Sequence, residues 1–342
     1  MNPSPDRPRT RLLAFVAGLG ATFLLVAVFG VIAVGYTLYG PGPKAKQGAE
    51  TIVILRPGSG VSEIGSTLER AGVVRSRGAF RLAVQFAGAD RSLRAGEYRF
   101  PSGASLNDVV QKLKSGQVVR HFVTIPEGRT SAQAVRILLA NPVLVGDVTV
   151  PPEGAILPET YEVTRGETRA AVLQRMLEAR DKVLAELWAK RAPGLPIKTP
   201  EEAINLAAIV EKETSVPAER PRVAAVYINR LRMGIPLAAD PTIVYGISKG
   251  EPLGRGIRRS ELDADTPWNS YKRPGLPPTP IANPGRASIA AVLNPAITKE
   301  LYFVADGTGG HVFAETLAEH EKNVVKWRKI EAARAAKARP PA

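Results

Sequence analysis

The segment IVEKETSVPAERP, residues 209–221, places two glutamates two residues apart at the end of an alanine-rich apolar stretch. Glutamate can act as a general acid near neutral pH when its surroundings raise its pKa. On a helical wheel with Leu206 at zero, Glu213 falls at about 340°, within the stripe that includes Ile209, whereas Glu211 falls at about 140°. The pattern predicts that Glu213 points toward the core and that Glu211, on the far face, is structural.

A carboxylate among apolar groups is costly unless a cation pairs with it or it binds a proton. Pairing with Arg220, Arg222 or Arg230 would give an ordinary buried ion pair, which is the interpretation we favour for an arbitrary protein. The alternative is a general acid whose pKa is raised toward neutrality, as glycoside cleavage requires. The wheel alone does not choose between these two interpretations.

Three helical segments and one loop must position these glutamates. Residues 168–190 have the periodicity of an amphipathic helix, and Thr199-Pro200-Glu201-Glu202 has the features of a helix start. Residues 222–233 predict another amphipathic helix, on which Tyr227, Asn229 and Arg230 are interpreted as a solvated face. A loop rich in Pro, Asn and aromatic residues follows and leads into a helix at Ser288; loops of this composition often line ligand sites.

The sequence lacks the residues and motifs that thiol, metal, serine-nucleophile and nucleotide chemistry require. The chain has no cysteine, and its three histidines show no metal-binding spacing. Neither a G-x-S-x-G motif, nor a phosphate-binding loop, nor a dinucleotide fingerprint is present. We therefore expect a carboxylate enzyme with no metal and no cofactor.

Residues 51–141 repeat a short pattern three times. Three segments, within residues 51–72, 98–116 and 123–141, each read as a strand, a Pro/Gly turn and a helix. Pro57, Pro101 and Pro126 end the strands, Gly58, Gly103 and Gly128 permit unusual backbone angles, and the candidate helix caps are Ser62, Ser105 and Thr130 or Ser131. The pattern fits either a plain α+β packing domain or a small carbohydrate-binding module, and taken alone it favours the packing domain.

The N-terminal sequence predicts a membrane-spanning segment. Residues 12–36 form a run of 25 residues without a charge, enough to cross a hydrocarbon core of about 30 Å. Arg7, Arg9 and Arg11 precede it, so the bias of positive charge predicts a cytoplasmic N-terminus and an exported remainder. We favour an uncleaved anchor over a signal peptide.

The charge of the chain is strongly positive. Its 46 basic and 32 acidic residues give a net charge of +14, part of which lies in the C-terminal tail. An exported basic protein favours anionic lipid or cell-wall polymers, and nucleic acid is a poor candidate partner.

Several motifs together resemble the signature of the YceG-like, or MltG, family of endolytic murein transglycosylases. The resemblance covers nearly the whole exported part, and it rests on IVEKETSVPAERPRVAAVYINRLRMGIPLAADPTIVYG at residues 209–246, LPETY at 157–161, DTPWNSY at 265–271, GLPPTPIANPG at 275–285 and LYFVADGTGGHVF at 301–313. It implies a single transmembrane helix, a small LysM-like α+β module and a mixed α/β catalytic domain in the periplasm or outer wall. The expected boundaries are a cytoplasmic tail at 1–11, the span at 12–36, a Gly/Pro linker at 37–49, LysM-like modules at 50–150, the catalytic domain at 151–330 and a basic tail at 331–342.

By position, the family's catalytic glutamate, the second Glu of E-K-E-T, is Glu213. The resemblance implies that this residue cleaves the MurNAc–GlcNAc β-1,4 bond inside a glycan strand and leaves a 1,6-anhydroMurNAc end, a terminase of glycan elongation. It also implies peptidoglycan as substrate, the bacterial plasma membrane as location and peptidoglycan synthases as partners to test. The residues expected to line the glycan groove are Glu159, Asn229, Arg230, Asp240, Thr242, Tyr271 and Asn283.

The sequence departs from the family pattern at Ala238, where Gln is common, and at Leu317 and Glu321, where Tyr and Asn are frequent. Those two positions flank His320, whose role they put in question. The alternative functions are a peptidoglycan-binding scaffold of the cell-division or elongation machinery, and a hydrolytic muramidase. The muramidase needs a second carboxylate, for which Asp240 and Glu159 are the candidates.

Overall fold

The structure of the protein, a computed structural model, describes residues 7–337 and shows a mixed α and β architecture. The helices are α1 (Arg7–Tyr39), α2 (Val61–Arg70), α3 (Arg77–Phe86), α4 (Leu106–Ser115), α5 (Ser131–Ala140), α6 (Arg169–Ala189), α7 (Pro200–Glu213), α8 (Arg220–Met233), α9 (Asp240–Ser248), α10 (Arg259–Asp263), α11 (Arg286–Leu293) and α12 (Leu317–Lys337), with a 3₁₀ turn at Pro217–Glu219. The strands are β1 (Glu50–Leu55), β2 (Gly96–Pro101), β3 (His121–Thr124), β4 (Thr160–Val163), β5 (Tyr302–Ala305) and β6 (His311–Ala314). They pair in sequence order as three two-stranded antiparallel sheets.

The N-terminal helix α1 contains a stretch with the length and composition of a membrane span. Phe15–Tyr39 has a mean hydropathy of 2.5, and none of its most apolar window is buried against protein. A span of 25 residues suffices to cross a bilayer. The helix fits a single-pass anchor, although a signal sequence meets the same criteria. The expected tails at 1–11 and 331–342 lie partly outside the described residues.

The chain divides into two compact units, residues 1–120 and 121–342. In the first unit, β1 pairs with β2 and the helices α2 and α3 lie between them in sequence. Its core is closed by α4 and includes the fully enclosed side chains of Leu68, Phe80, Tyr98 and Leu113.

The residues after α1 are fastened to the first unit rather than free. Gly42 N donates to Gly103 O at 3.1 Å, and Gly103 N donates to Pro43 O at 3.0 Å. A side chain at Gly42 would meet Ala104 O at 2.1 Å, so only glycine permits this close approach. The segment expected to be a linker therefore belongs to the body of the first unit.

The second unit is built around α7, which is buried on every side from Ala203 to Val210. It packs against α6, α8, α9 and α11, so it has no solvent-facing stripe in its second half. The wheel correctly assigned Glu213 to the side of the apolar residues. It did not predict that the opposite face is also enclosed, because that requires knowing that helices cover both sides.

The local predictions for the three strand-turn-helix segments hold in most details. Gly58, Gly103 and Gly128 all have positive φ. Ser105 and Thr130 are N-caps with complete capping boxes. The expected cap at Ser62 is wrong, because Ser62 lies inside α2. The helix starts at Val61, and its N-cap residue is Gly60.

The third of these segments joins the second unit. Strand β3 pairs with β4, with Val123 opposite Tyr161, and this pairing links residues 121–124 to 160–163. The boundary between the two units in the sequence therefore lies after residue 120, whereas we expected the LysM-like modules to extend to residue 150. The strand that pairs with β3 lies 36–42 residues further along the chain, so the sequence of the segment itself does not indicate it.

Candidate active site

Glu213 is the last residue of α7, and Tyr227 on α8 contacts it. The Tyr227 hydroxyl donates to Glu213 Oε1 at 2.8 Å. Tyr227 is buried, with 2% of its surface exposed, while Glu213 keeps a partly exposed edge. The carboxyl group is thus held by one hydrogen bond at the end of a buried helix, with Oε2 left for another partner.

The three arginines that were candidates to neutralise Glu213 are all engaged elsewhere. Arg220 pairs with Glu127 and Glu211, and Arg222 pairs with Glu300. The Arg230 guanidinium donates to three backbone carbonyls, those of Leu301, Pro236 and Leu237, at 2.7–3.1 Å. Within residues 7–337, no ion pair is formed by Glu213.

The surroundings of Glu213 favour its protonated form. Burial raises the pKa of the Glu213 carboxyl to about 7, and the charge of Asp240 acts in the same direction. The hydrogen bond from Tyr227 and the charge of Arg230 oppose this rise and are weaker. A carboxyl with a pKa near 7 can both donate and accept a proton at neutral pH.

Asp240 and Tyr271 lie within electrostatic reach of Glu213. The Tyr271 hydroxyl donates to Asp240 Oδ1 at 2.6 Å. Partial burial raises the pKa of Tyr271, and the hydrogen bond to Asp240 and the charges of Asp240 and Glu213 raise it further. Both residues are exposed, so this pair forms an open edge of the site. The structure brings Glu213, Arg230, Asp240 and Tyr271 together.

Glu211 lies two residues before Glu213 and has a different environment. Its side chain is 5% exposed; Oε1 accepts from Arg220 at 3.3 Å and Oε2 accepts from Gly285 N at 2.9 Å. Arg220 Nη2 also contacts Glu127 at 3.1 Å, in the turn after β3. This cluster ties the ends of three segments together around α7, which agrees with the structural role expected for Glu211.

A closed set of contacts surrounds the end of α7. Phe303 on β5 packs edge-on against the Tyr227 ring, with centroids 5.9 Å apart, and against His311 at 5.3 Å. His311 Nδ1 and Glu219 Oε2 are 2.7 Å apart, and the Thr214 hydroxyl donates to the same Glu219 oxygen at 3.2 Å. Since Thr214 follows Glu213 in the chain and Phe303 contacts Tyr227, the β5–β6 hairpin is joined both to the residue after Glu213 and to the tyrosine that binds it.

Three residues expected in a glycan groove point into the protein instead. Asn283 is fully buried, accepts from Ile156 N at 2.9 Å and donates to Arg129 O at 3.0 Å. Thr242 is also fully buried and donates to Ala239 O at 2.6 Å. Asn229 donates to two carbonyls of the segment before β5. These amide and hydroxyl groups fasten loops around the site, which limits direct contact with a glycan.

Glu159 lies exposed immediately before β4. Its charge contributes to the raised pKa of Tyr161, whereas the charges that act on Glu213 are those of Asp240 and Arg230. Of the two candidates for a second carboxylate, Asp240 is therefore the one that is coupled to Glu213.

Tyr227 was interpreted from sequence as part of a solvated face, and this is wrong. It lies four residues after Val223, which is fully buried, so the i, i+4 spacing on α8 contained the signal. The role of Glu219 was missed for a different reason. Its partner His311 lies 92 residues away, and no local pattern connects the two.

The positions that depart from the family pattern lie around this site. Ala238 has a positive φ of 52°, and its N–H donates to Ser270 O at 2.9 Å. Leu317 is the first residue of α12 and is exposed. His320 stacks on Tyr302, the ring over which the Arg230 guanidinium lies. Burial and the charge of Arg230 lower the pKa of His320, so the ring is neutral at neutral pH.

No cluster of three or more His, Asp or Glu side chains suited to a metal ion occurs among the described residues. His311 pairs with Glu219 and His320 packs on an aromatic ring, so both have other functions.

Comparisons with known proteins show what the chain is similar to. The endolytic murein transglycosylase of Bacillus subtilis (strain 168) is 30% identical over 329 residues, 86% of this chain and 90% of that protein. The protein of the same name from Streptococcus pneumoniae serotype 2 is 28% identical over 364 residues, which cover 92% of this chain and 65% of that protein. The crystal structure of a yceG-like protein from Listeria monocytogenes is 26% identical, with a TM-score of 0.51 over 80% of this chain and 98% of that one. The family model that matches residues 53–326 covers most of the sequence, and the chain belongs to the YceG-like family.

Proposed function

We propose that the protein is an endolytic peptidoglycan transglycosylase and that Glu213 is its catalytic acid and base. The observation that carries this assignment is that the buried Glu213 carboxyl forms no ion pair within residues 7–337, since Arg220, Arg222 and Arg230 all bind other groups. A structural glutamate in such a place would be paired, as Glu211 is. Curated relatives named endolytic murein transglycosylase support the reaction class.

The reaction needs one carboxyl group in two successive roles. Protonated Glu213 donates its proton to the glycosidic oxygen as the bond from that oxygen to C1 of the muramoyl sugar breaks. The resulting carboxylate then takes the proton of the muramoyl 6-hydroxyl while that oxygen bonds to C1. The products are a free GlcNAc hydroxyl and a 1,6-anhydromuramoyl end, and Glu213 returns to its protonated form without consuming water.

The neighbours of Glu213 suit these two roles. Tyr227 donates to Oε1, which leaves Oε2 to carry the transferred proton. Because burial and Glu213 together hold the pKa of Tyr227 well above its usual value, this hydroxyl remains a donor throughout. Asp240 and Arg230 contribute opposing charges, and Tyr271 at the open edge is placed to contact a sugar.

We also propose that α1 anchors the protein in the plasma membrane with its N-terminus in the cytoplasm. The charge-free span and the arginines before it support this orientation. The LysM-like peptidoglycan-binding module that we expected from residue 50 onward is then the part of the first unit up to residue 120, and its antiparallel β1–β2 pair and separate core support a small binding unit. Anchoring next to newly made strands suits an enzyme that terminates glycan elongation, with peptidoglycan synthases as candidate partners.

The test is mass spectrometry of purified glycan strands incubated with the full chain or with Glu213→Gln. New internal 1,6-anhydromuramoyl ends are expected with the parent chain and absent with Glu213→Gln. The control variant is Glu315→Gln, which neutralises an exposed carboxylate outside this site and should retain cleavage. Intact strands with a folded parent chain would favour the peptidoglycan-binding scaffold.

The hydrolytic alternative has its own signature. A muramidase would release reducing ends in place of anhydro ends, and its water would be activated by Asp240, the carboxylate coupled to Glu213. Under our proposal, Asp240→Asn slows cleavage but leaves the anhydro product unchanged. A switch from reducing to anhydro ends in that variant would identify the parent enzyme as a hydrolase.

A further inference from the structure

We propose that α3 docks on the lipid surface of the membrane that α1 spans, through a stripe formed by Ala79, Leu82 and Phe86. We call these three residues the α3 stripe. The partner is a phospholipid surface with anionic headgroups. The inference rests on the membrane anchoring proposed above and goes beyond it, because an anchor alone does not determine which face of the first unit meets lipid.

The body of the first unit lies directly against the last turns of α1. Leu38, near the end of α1, packs on the core of this unit. Arg75, in the turn before α3, donates from its Nη2 to Pro41 O at 3.2 Å. A pocket is lined by Tyr36 and Thr37 on one side and by residues that include Ala79 on the other. The start of α3 is therefore beside the end of the apolar span.

The α3 stripe starts at that contact and continues away from it. With Leu82 at zero on a helical wheel, Phe86 falls at about 40° and Ala79 at about 60°, so the three share one face. Ala79 lines the pocket beside α1, whereas Leu82 is 56% exposed and Phe86 is 78% exposed. Phe80 and Val84, on the opposite face of α3, are buried in the core of the unit, and Ala79 packs against the edge of that core. Two large exposed apolar side chains thus share a face of α3 with Ala79, which lies beside the end of the apolar span.

The charge around the α3 stripe suits a phospholipid surface. Helix α3 carries Arg77 and Arg81, both exposed, and no acidic residue. Residues 40–120 contain 13 Lys or Arg and six Asp or Glu, which gives a net charge of +7. Exposed apolar side chains flanked by arginine on a short amphipathic helix are typical of interfacial binding to anionic lipid. Tyr36 and Tyr39, both exposed, add aromatic rings at the end of the span.

The absence of cysteine in the chain permits a direct test with single-cysteine labels. The full chain is reconstituted in lipid nanodiscs of phosphatidylcholine and phosphatidylglycerol that contain a spin-labelled lipid, which quenches nearby fluorophores. One label is placed at Gln85→Cys, an exposed position beside the α3 stripe that leaves its residues intact. The control label is Gln111→Cys, an exposed position on α4, and a label at Gly30→Cys in α1 reports insertion of the span.

Docking predicts quenching at Gln85→Cys about threefold stronger than at Gln111→Cys, falling to the control level when Leu82→Ser and Phe86→Ser are added. Quenching should also weaken with Arg77→Glu and Arg81→Glu, or without phosphatidylglycerol. Equal quenching at both positions would overturn the inference. So would a label at Gln85→Cys that is shielded from water but not quenched by lipid, since a second protein copy would then cover the stripe.

The span reporter separates this inference from the anchoring on which it depends. A quenched Gly30→Cys label with an unquenched Gln85→Cys label would leave the anchor in place and remove the docking of α3. An unquenched Gly30→Cys label would remove both. Neither result bears on Glu213, whose role is tested by the products of glycan cleavage.

Discussion

At the scale of the residue, α7 places two glutamates in opposite environments within one turn. Glu211 accepts from Arg220 and from Gly285 N, so both of its oxygens have donors. Glu213 accepts from the neutral Tyr227 hydroxyl and forms no ion pair within residues 7–337. The first carboxyl is bound by two donors, whereas burial of the second favours its protonated form, which agrees with the structural and the catalytic role that we propose for them.

Under the function that we propose, this environment makes both activity and stability depend on the protonation of Glu213. Its pKa rises from 4.5 to about 7 on folding, so the folded state binds this proton more tightly than the unfolded state. Cleavage should be fastest below pH 7 and should fall tenfold per pH unit above it. The parent chain should also lose about 2–3 kcal/mol of unfolding free energy between pH 4.5 and 7 relative to Glu213→Gln. Initial rates and urea unfolding across this range measure both; a flat difference between the two chains contradicts the assignment.

Tyr227→Phe should change the acid without disrupting its packing. The ring against Phe303 is kept, while the hydrogen bond that lowers the pKa of Glu213 is lost. We expect the pH at which cleavage is half-maximal to rise, and kcat to fall about tenfold because Oε1 is no longer oriented. The matched control is Tyr161→Phe, which loses a hydroxyl bonded to Leu157 O in the same unit. An unchanged pH midpoint in Tyr227→Phe would show that this hydroxyl is only structural.

At the scale of the element, the β5–β6 hairpin supports the site although it is distant in sequence. Glu219 accepts from His311 N at 2.8 Å as well as contacting its ring, so one carboxylate holds the hairpin to the loop after α7. Burial by itself would raise the pKa of Glu219, but the hydrogen bonds and charge of His311, together with the hydrogen bond from Thr214, lower this pKa below its usual value. The hairpin then presents Phe303 to the Tyr227 ring.

Glu219→Gln should therefore loosen the hairpin and misplace the acid. We expect a loss of about 1–3 kcal/mol in unfolding free energy, since charge-assisted hydrogen bonds are replaced by neutral ones. Cleavage should fall more than stability alone explains, with a shifted pH midpoint that reports the moved Tyr227. Glu315→Gln, an exposed position next to the same hairpin, should change neither. A stability loss with a parent-like pH profile would limit Glu219 to a structural role.

The elements themselves were largely predictable from sequence, because their signals are local. Thr199 caps α7 by accepting from Glu202 N, and Pro200 occupies its first turn, as the sequence indicated. The inward direction of Glu213 followed from the period of the helix. The pairing of β3 with β4, the clamp of His311 by Glu219 and the burial of Asn283 were not predictable. Each depends on a partner far away in the chain.

At the scale of the whole molecule, the two units have separate cores and separate proposed tasks. The first, with Leu113 and Phe80 in its core, carries the positively charged surface and follows the span. The second contains α7, with Leu206 in its core, and holds the chemistry. The fold therefore separates residues proposed to locate the enzyme from those proposed to cut.

Matched core substitutions should show this separation. Leu113→Ala and Leu206→Ala each remove a fully buried side chain and should cost about 2–5 kcal/mol in the unit that contains it. Hydrogen exchange should detect lost protection in residues 1–120 for the first variant and in residues 121–342 for the second. Only Leu206→Ala should alter the pH dependence of cleavage, because it lies on the helix of Glu213. An altered pH dependence in Leu113→Ala would contradict the separation.

The position of the two coupled carboxylates on their helices has a further consequence. Glu213 is the last residue of α7, whereas Asp240 is the first residue of α9. The peptide dipoles of a helix leave partial negative charge at its C-terminal end and partial positive charge at its N-terminal end. The backbone of α7 therefore disfavours an anion at Glu213, in the same direction as burial. The direction in which α7 runs thus helps to keep the Glu213 carboxyl protonated, while Asp240 lies at the end of α9 that carries partial positive charge.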